Sequence, residues 1–319
     1  MAIDFTTLWP YSEIKEVTVD GQKMVRIPRI YVKNVVLDGG TYKGKSAYFM
    51  SKEKLDGYHV HPAFMNGGSA ARALDLSCYE ASKDSSGKPA SVSTTTFWQN
   101  INRNDAIAAC DKRNVSGGTD EQQGWHCWDI YCQHLLARLM LFEYGTTGFS
   151  FPESGSPDFV YRGIHQPAGN PQSPTWLPGL GNIGDKMYIY DNNGSRAMLN
   201  TGVACPGNGW PKGFLMTKGG SFDLGDIFLA SAVSSSENDG TCSDWQRLAR
   251  NGVSETGYFT GYRGSHTIDP ADAHGMFAIS QETYYSYSGF GSPSAVWGGD
   301  GNFGDNHGPL RFRLAHFVA

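Results

Sequence analysis

Hydrophobic and polar positions alternate most regularly at the end of the chain. Leu310, Phe312, Leu314 and His316 fall on one side of a two-residue period, with Arg311, Arg313, Ala315 and Phe317 on the other. That period predicts a half-buried strand over 310–318, which must pair inside a sheet. Near the start, an alternating run over 14–19 ends at Asp20-Gly21 and an apolar run over 24–32 follows. Asp-Gly between two such runs predicts a hairpin. Pro28 lies inside the second run and has no N–H, so it needs an edge position or a bulge. A turn at 38–40 and a strand over 46–50 come next.

Helical periodicity is confined to two stretches. Asn102 is placed to cap a helix over 103–112, with Asp105 in its first turn and Lys112 in its last, as the helix dipole prefers. A longer helix starts near Asp129 and ends at Tyr144-Gly145. Cys132, Leu135, Leu136, Leu139, Met140 and Phe142 form its apolar stripe, which leaves Arg138 on the exposed flank. From 148 to 254 the chain is rich in glycine and carries Pro152, Pro157, Pro167, Pro171, Pro174 and Pro178. This composition predicts ordered loops pinned by short strands near 187–190 and 227–233, not long regular elements. The organisation expected is a segment 1–20 serving as an attachment arm, then one domain over 21–319 with a loop-rich insertion at 148–254.

Composition narrows the function classes. The 319 residues carry a net charge of −5, without the basic stripe of a nucleic-acid binder. No apolar run approaches the roughly 20 residues that span a bilayer, and residues 1–7 lack the basic and apolar regions of a signal peptide. Synthesis in a cytoplasm is therefore expected. Forty glycines and 13% aromatic residues against 18% charged indicate strands joined by tight turns. The cysteines (78, 110, 127, 132, 205 and 242) read as free buried thiols, and none of their spacings matches a zinc site. A Cys205–Cys242 bridge stays open.

Candidate chemistry concentrates before the last strand. Tyr284, Tyr285, Tyr287, Phe290, Trp297, Asp300, Asn302, Phe303, Asp305, Asn306 and His307 combine rigid aromatic area with adaptable polar groups, the composition of binding loops. Residues 297–307 read as a turn-rich loop. Asp300, Asn302 and Asp305 offer hard oxygen donors for calcium, but turn formation accounts for them without metal, and no cofactor is expected. His59 and His61 share one face of an extended segment and are read as structural in preference to metal ligands. A polysaccharide hydrolase needs two carboxylates about 5 to 9 Å apart. Asp223, Asp226, Asp239, Asp244, Asp300 and Asp305 are candidates, but sequence does not show which converge. Aspartates beside Gly and Asn read first as turn formers, so hydrolysis is the minor alternative.

Several blocks, taken in order, carry a resemblance. They are residues 24–31 (Met-Val-Arg-Ile-Pro-Arg-Ile-Tyr), 57–64 (Gly-Tyr-His-Val-His-Pro-Ala-Phe), 79–82 (Tyr-Glu-Ala-Ser) and 124–126 (Gly-Trp-His). The series continues with 141–145 (Leu-Phe-Glu-Tyr-Gly), 161–165 (Tyr-Arg-Gly-Ile-His) and 311–316 (Arg-Phe-Arg-Leu-Ala-His). This succession resembles bacteriophage tail and receptor-binding proteins with a C-type-lectin-like domain, a fold shared with formylglycine-generating enzymes. The resemblance implies an α+β fold with two helices packed on a twisted antiparallel sheet, long irregular loop insertions, and the last strand pairing near 24–32. It also implies a virion tail component, homotrimeric, that contacts other tail proteins and binds a host surface receptor, protein or glycan, without catalysis. The alternative is a structural tail or capsid decoration protein. The Glu-Pro-Asn or Gln-Pro-Asp loop and the Trp-Asn-Asp triplet of calcium-dependent lectins are absent. The surroundings of Cys205 and Cys242 do not match the oxidase's cysteine pair.

Overall fold

A computed structural model describes residues 3–36, 38–40, 46–144, 160–167, 175–183, 186–204, 213–214, 231–232, 249–250, 253–254, 273–278, 296–302 and 310–319. The main elements are β1 (Lys15–Val19), β2 (Gln22–Pro28), β3 (Tyr31–Val36), β4 (Ser46–Ser51), β5 (His59–Val60), β6 (Ala73–Ser77), α1 (Arg103–Asp111) and β7 (Trp125–Cys127). They are followed by α2 (Ile130–Tyr144), β8 (Thr175–Ile183), β9 (Lys186–Tyr190), β10 (Met198–Ala204), β11 (Ala273–Ala278), β12 (Val296–Asn302) and β13 (Leu314–Val318). The architecture is α+β: two helices packed against antiparallel sheets.

The first sheet has the order β1-β2-β6-β13-β7. Its opening hairpin forms as the sequence predicts, with Val19 opposite Gln22. Asp20 and Gly21 both have positive φ, at 45° and 75°, as a tight two-residue hairpin turn requires. The Lys23 carbonyl accepts from the Cys78 N–H just past β6, and the Arg29 N–H donates to the Arg72 carbonyl just before it, so the even-numbered positions of β2 face β1. β1 ends opposite Arg26. Pro28 therefore points its missing donor past the end of β1, where no ladder bond is lost. The apolar run 24–32 divides just after this proline, and β3 joins a separate three-stranded sheet of order β4-β3-β5.

The last strand departs from expectation in two respects. It pairs with β6 and β7, and β6 separates it from β2, so it does not pair with 24–32 itself. It is also buried on both faces: Phe312, Leu314 and Ala315 are fully enclosed, and Arg313 and His316 are nearly so. The helices explain this. Ala106, Ala109 and Cys110 of α1 pack with Met24, Trp125, Phe312 and Leu314. Leu135, Leu136, Leu139 and Met140 of α2 pack with Val25, Ile27, Leu74, Leu76, Ala315 and Phe317. Paired residues across the sheet share a face, so the helices cover opposite faces. Each large side chain enclosed this way contributes about 2 to 3 kcal/mol of apolar burial.

The alternation over 310–318 rests on two arginines, of which Arg313 is buried and Arg311 half-buried. Arg311 pairs with Glu80 at 2.6 Å and lies over the Phe97 ring. Arg313 donates to the carbonyls of His165 and Gln166 at 2.6 and 3.0 Å. Burying a charge is tolerated when it is bonded in this way.

Both helices form where the pattern places them. The Asn102 side chain accepts from the Asp105 N–H at 2.7 Å. The Asp129 carboxylate accepts from the N–H groups of Tyr131 and Cys132, each at 3.0 Å. Two positions on α2 differ from expectation. Arg138 is buried, at 2% exposure, whereas Phe142 is exposed. The polar flank of α2 faces a buried histidine pair in place of solvent.

The second five-stranded sheet has the order β10-β9-β8-β11-β12. Its nine-residue β8, with Pro178 inside it, is a longer element than the proline-rich composition of 148–254 predicts. The Trp176 N–H donates to the Arg311 carbonyl at 2.8 Å, which ties β8 to the residue that leads into β13. Of the segment 1–20, residues 15–19 pair as β1, and Tyr11 is buried with its hydroxyl donating to the Leu139 carbonyl.

Candidate functional site

Of the aromatic and polar residues expected to form a contact face, Tyr284, Tyr285, Tyr287, Phe290, Phe303, Asp305, Asn306 and His307 lie outside the described residues. Trp297, Asp300 and Asn302 lie on β12, at the edge of the second sheet, with Trp297 opposite Phe277 and Asn302 opposite His274. That stretch is a strand, not the loop its glycines suggested. Edge pairing with β11 accommodates glycine where the register shifts between His274 and Met276. Cys205 and Cys242 also lie outside the described residues. Cys78, Cys110, Cys127 and Cys132 are free and buried.

An open groove of about 590 Å³ lies at the three-stranded sheet, within the range of small-ligand clefts. Tyr31 of β3 and Tyr58, just before β5, line it with Lys54. The opposite wall is the turn after β9, which contributes Asn192 and Asn193. This turn is held in place by two bonds, Gly67 N–H to the Gly194 carbonyl at 3.1 Å and Gly68 N–H to the Asn193 carbonyl at 2.7 Å. Gly194 has φ of 81°, and a Cβ there would stand 2.2 Å from the Met65 carbonyl oxygen. Only glycine allows so close an approach. The groove as a whole has no local signature in the sequence, because its walls come from segments some 130 residues apart. The Asn-Asn-Gly turn was its one visible sign.

The histidines of the 59–61 block separate. His59 is exposed on β5, whereas His61 is buried and caps a short turn. His61 Nε2 lies 2.7 Å from His134 Nδ1, and the Arg138 Nε–H donates to His134 Nε2 at 3.0 Å. The Ala63 N–H points at His61 Nδ1 at 3.1 Å. Both outer nitrogens thus face N–H groups. Two neutral rings then carry one proton more than the three contacts accommodate. Burial, followed by the charges of His59 and Arg138, lowers His61 to about 3. Burial, with Arg138 second, also holds His134 well below the usual range. Both shifts favour the uncharged rings, so one of the three contacts has to lengthen to admit the second proton.

A third buried group joins His126, Asp129 and Cys132, whose ligand atoms lie within 4.8 Å of one another. The spacing His-x-x-Asp-x-x-Cys across the junction of β7 and α2 is its sequence signal. His126 Nδ1 faces the Gly124 carbonyl at 3.2 Å, which fixes its proton there and leaves Nε2 towards Cys132 Sγ at 3.9 Å. Burial pushes the Cys132 thiol and the Asp129 carboxyl up and His126 down, with the Arg196 charge second for Asp129 and His126. The donor set suits a soft divalent ion such as zinc. Each member nevertheless has a structural use: Asp129 caps α2, His126 stacks on Phe317 with centroids 4.2 Å apart, and Cys132 fills the core.

No protein-family model matches the chain, and no curated protein matches it. Among the described residues, no helix is long and apolar enough to cross a membrane.

Proposed function

We propose that this chain is a virion tail component whose C-type-lectin-like domain binds a host-cell surface receptor, protein or glycan, without chemistry. The observation that carries the reading is the anchoring of the segment around 303–309. β12 is paired into one five-stranded sheet and ends at Asn302. Leu310 is buried, and Arg311 is fixed by Glu80 and by the bond from Trp176. Fixed flanks on either side of an aromatic and polar stretch of sequence suit recognition, because a rigid scaffold lowers the entropy lost on binding. Two helices packed on antiparallel sheets are the coarse α+β arrangement that the C-type-lectin-like resemblance implies, and they support the reading. Repeated copies, with a trimer favoured, would add avidity. A structural decoration role is the alternative.

Binding of the isolated protein to host cells tests this reading. Trp297→Ala with Tyr285→Ala is expected to abolish cell binding while leaving the urea midpoint unchanged. Normal cell binding combined with failure to enter particles would instead establish the decoration role.

A further inference from the structure

Beyond the C-terminal stretch, we propose that the groove between Tyr31, Tyr58 and the turn at 191–196 is a binding site for an acidic oligosaccharide. Three features define the occupant.

The first is the pair of half-buried tyrosines. Neither phenol hydroxyl has a hydrogen-bond partner among the described residues. A tyrosine ring offers an apolar face to the C–H surface of a pyranose and a hydroxyl to its oxygens. A purely apolar ligand would leave both hydroxyls unused.

The second is charge. Lys54 lines the groove, the Lys33 ammonium lies 5.7 Å from the Tyr58 ring centroid, and the Arg29 guanidinium lies 5.5 Å from that of Tyr31. Lys33 donates to the Asp56 backbone carbonyl at 3.3 Å. Among the described residues, none of the three cations has a carboxylate partner and no carboxylate lines the groove. This positive patch stands out on a chain of net charge −5 and complements a carboxylate-bearing sugar.

The third is the opposite wall. The Asn193 side-chain oxygen accepts from the Ser195 N–H at 2.8 Å, which leaves its NH₂ to donate. The Asn192 amide is uncommitted among the described residues. An amide both donates and accepts, as a row of sugar hydroxyls requires. The wall is already locked onto residues 65–68 before any ligand arrives, so binding need not order it.

Electrophoresis of the intact protein through gels containing polygalacturonate, neutral dextran or polyglutamate tests the site. Polygalacturonate is expected to retard the protein, and dextran and polyglutamate to retard it little. Tyr58→Ala should weaken the polygalacturonate Kd about tenfold and Lys54→Gln about threefold. Both changes are near the surface, and the urea midpoint of each variant verifies its fold; Tyr58→Phe, which keeps the ring, should retain most of the retardation. Equal retardation by polyglutamate would reduce the effect to charge alone and overturn the proposal. So would an unchanged Kd in both Tyr58→Ala and Lys54→Gln. Trp297→Ala should leave retardation intact, which keeps this test separate from that of the C-terminal surface.

Discussion

His316 on the last strand lies 3.0 Å from the Asp75 carboxylate, and Asp75 is held from its other side by Arg26 through bonds of 2.7 and 2.8 Å. The sheet register produces the arrangement, since Arg26 is opposite Asp75 and Asp75 is opposite His316. The second nitrogen of His316 faces the Asp120 carbonyl at 3.0 Å. Both ring nitrogens therefore meet acceptors. Three adjacent strands are joined by one polar ladder at the centre of the sheet.

Removing the central acceptor leaves the Arg26 and His316 donors unmatched. Asp75→Asn is expected to cost about 3 kcal/mol in urea unfolding at pH 7. Burial works to raise the Asp75 carboxyl, but its bonds to Arg26 and His316 outweigh that and lower it. A carboxyl lowered in the folded state adds stability that is present above its unfolded value near pH 4 and lost as pH falls through the folded value. Asp75→Asn should therefore flatten the acid limb below pH 4. A double-mutant cycle with His316→Gln should give a coupling of about 1 to 3 kcal/mol; independent effects would show that the ladder does not act as a unit.

Asp129 has the opposite sign. Its carboxyl is raised, first by burial and against the Arg196 charge. It adds stability below its unfolded value and loses it as pH rises through the folded value. Asn caps a helix as well as Asp does, so Asp129→Asn should match or exceed the wild-type midpoint at pH 7. Asp129→Ala should lose the cap, at about 1 to 2 kcal/mol. If zinc held the fold through Asp129, both variants would lose stability and the loss would track zinc removal by a chelator.

The buried neutral histidines predict acid lability. His61, His126 and His134 are all lowered, each chiefly by burial. A histidine lowered in the fold gives full stability above its unfolded value near 6.5, and loses it as pH falls towards the folded value. Each contributes a slope of about 1.4 kcal/mol per pH unit in that window. Replacing His61 with Phe should cost stability at pH 7 yet reduce the slope between pH 6 and pH 4, read from urea midpoints. An unchanged slope would mean that His61 is not buried and neutral.

Gly194 sets the groove wall. Gly194→Ala forces a left-handed conformation on alanine and drives its Cβ into the Met65 carbonyl. A loss of about 2 kcal/mol or more is expected. Retardation by polygalacturonate should fall with it, because the turn carrying Asn192 and Asn193 must move.

The sequence by itself determined the local elements. Asp20-Gly21 specifies its hairpin through positive φ, Asn102 and Asp129 specify helix starts through capping, and Pro28 marks where one strand stops pairing. These are short-range effects, legible within a few residues. Tertiary structure alone decided burial and partnership. Arg138 and Arg313 look exposed in a one-dimensional pattern and are buried: the carbonyls of His165 and Gln166 meet Arg313 from far along the chain, and Arg138 bonds His134, whose ring stacks on the distant His61. The stretch 310–318 reads as half-buried from its arginines, yet its strand β13 is enclosed, because α1 and α2 cover opposite faces. The Tyr31–Tyr58 groove and the Asp75–His316 pair arise from register and from contacts between segments far apart in the chain, and no local period records those.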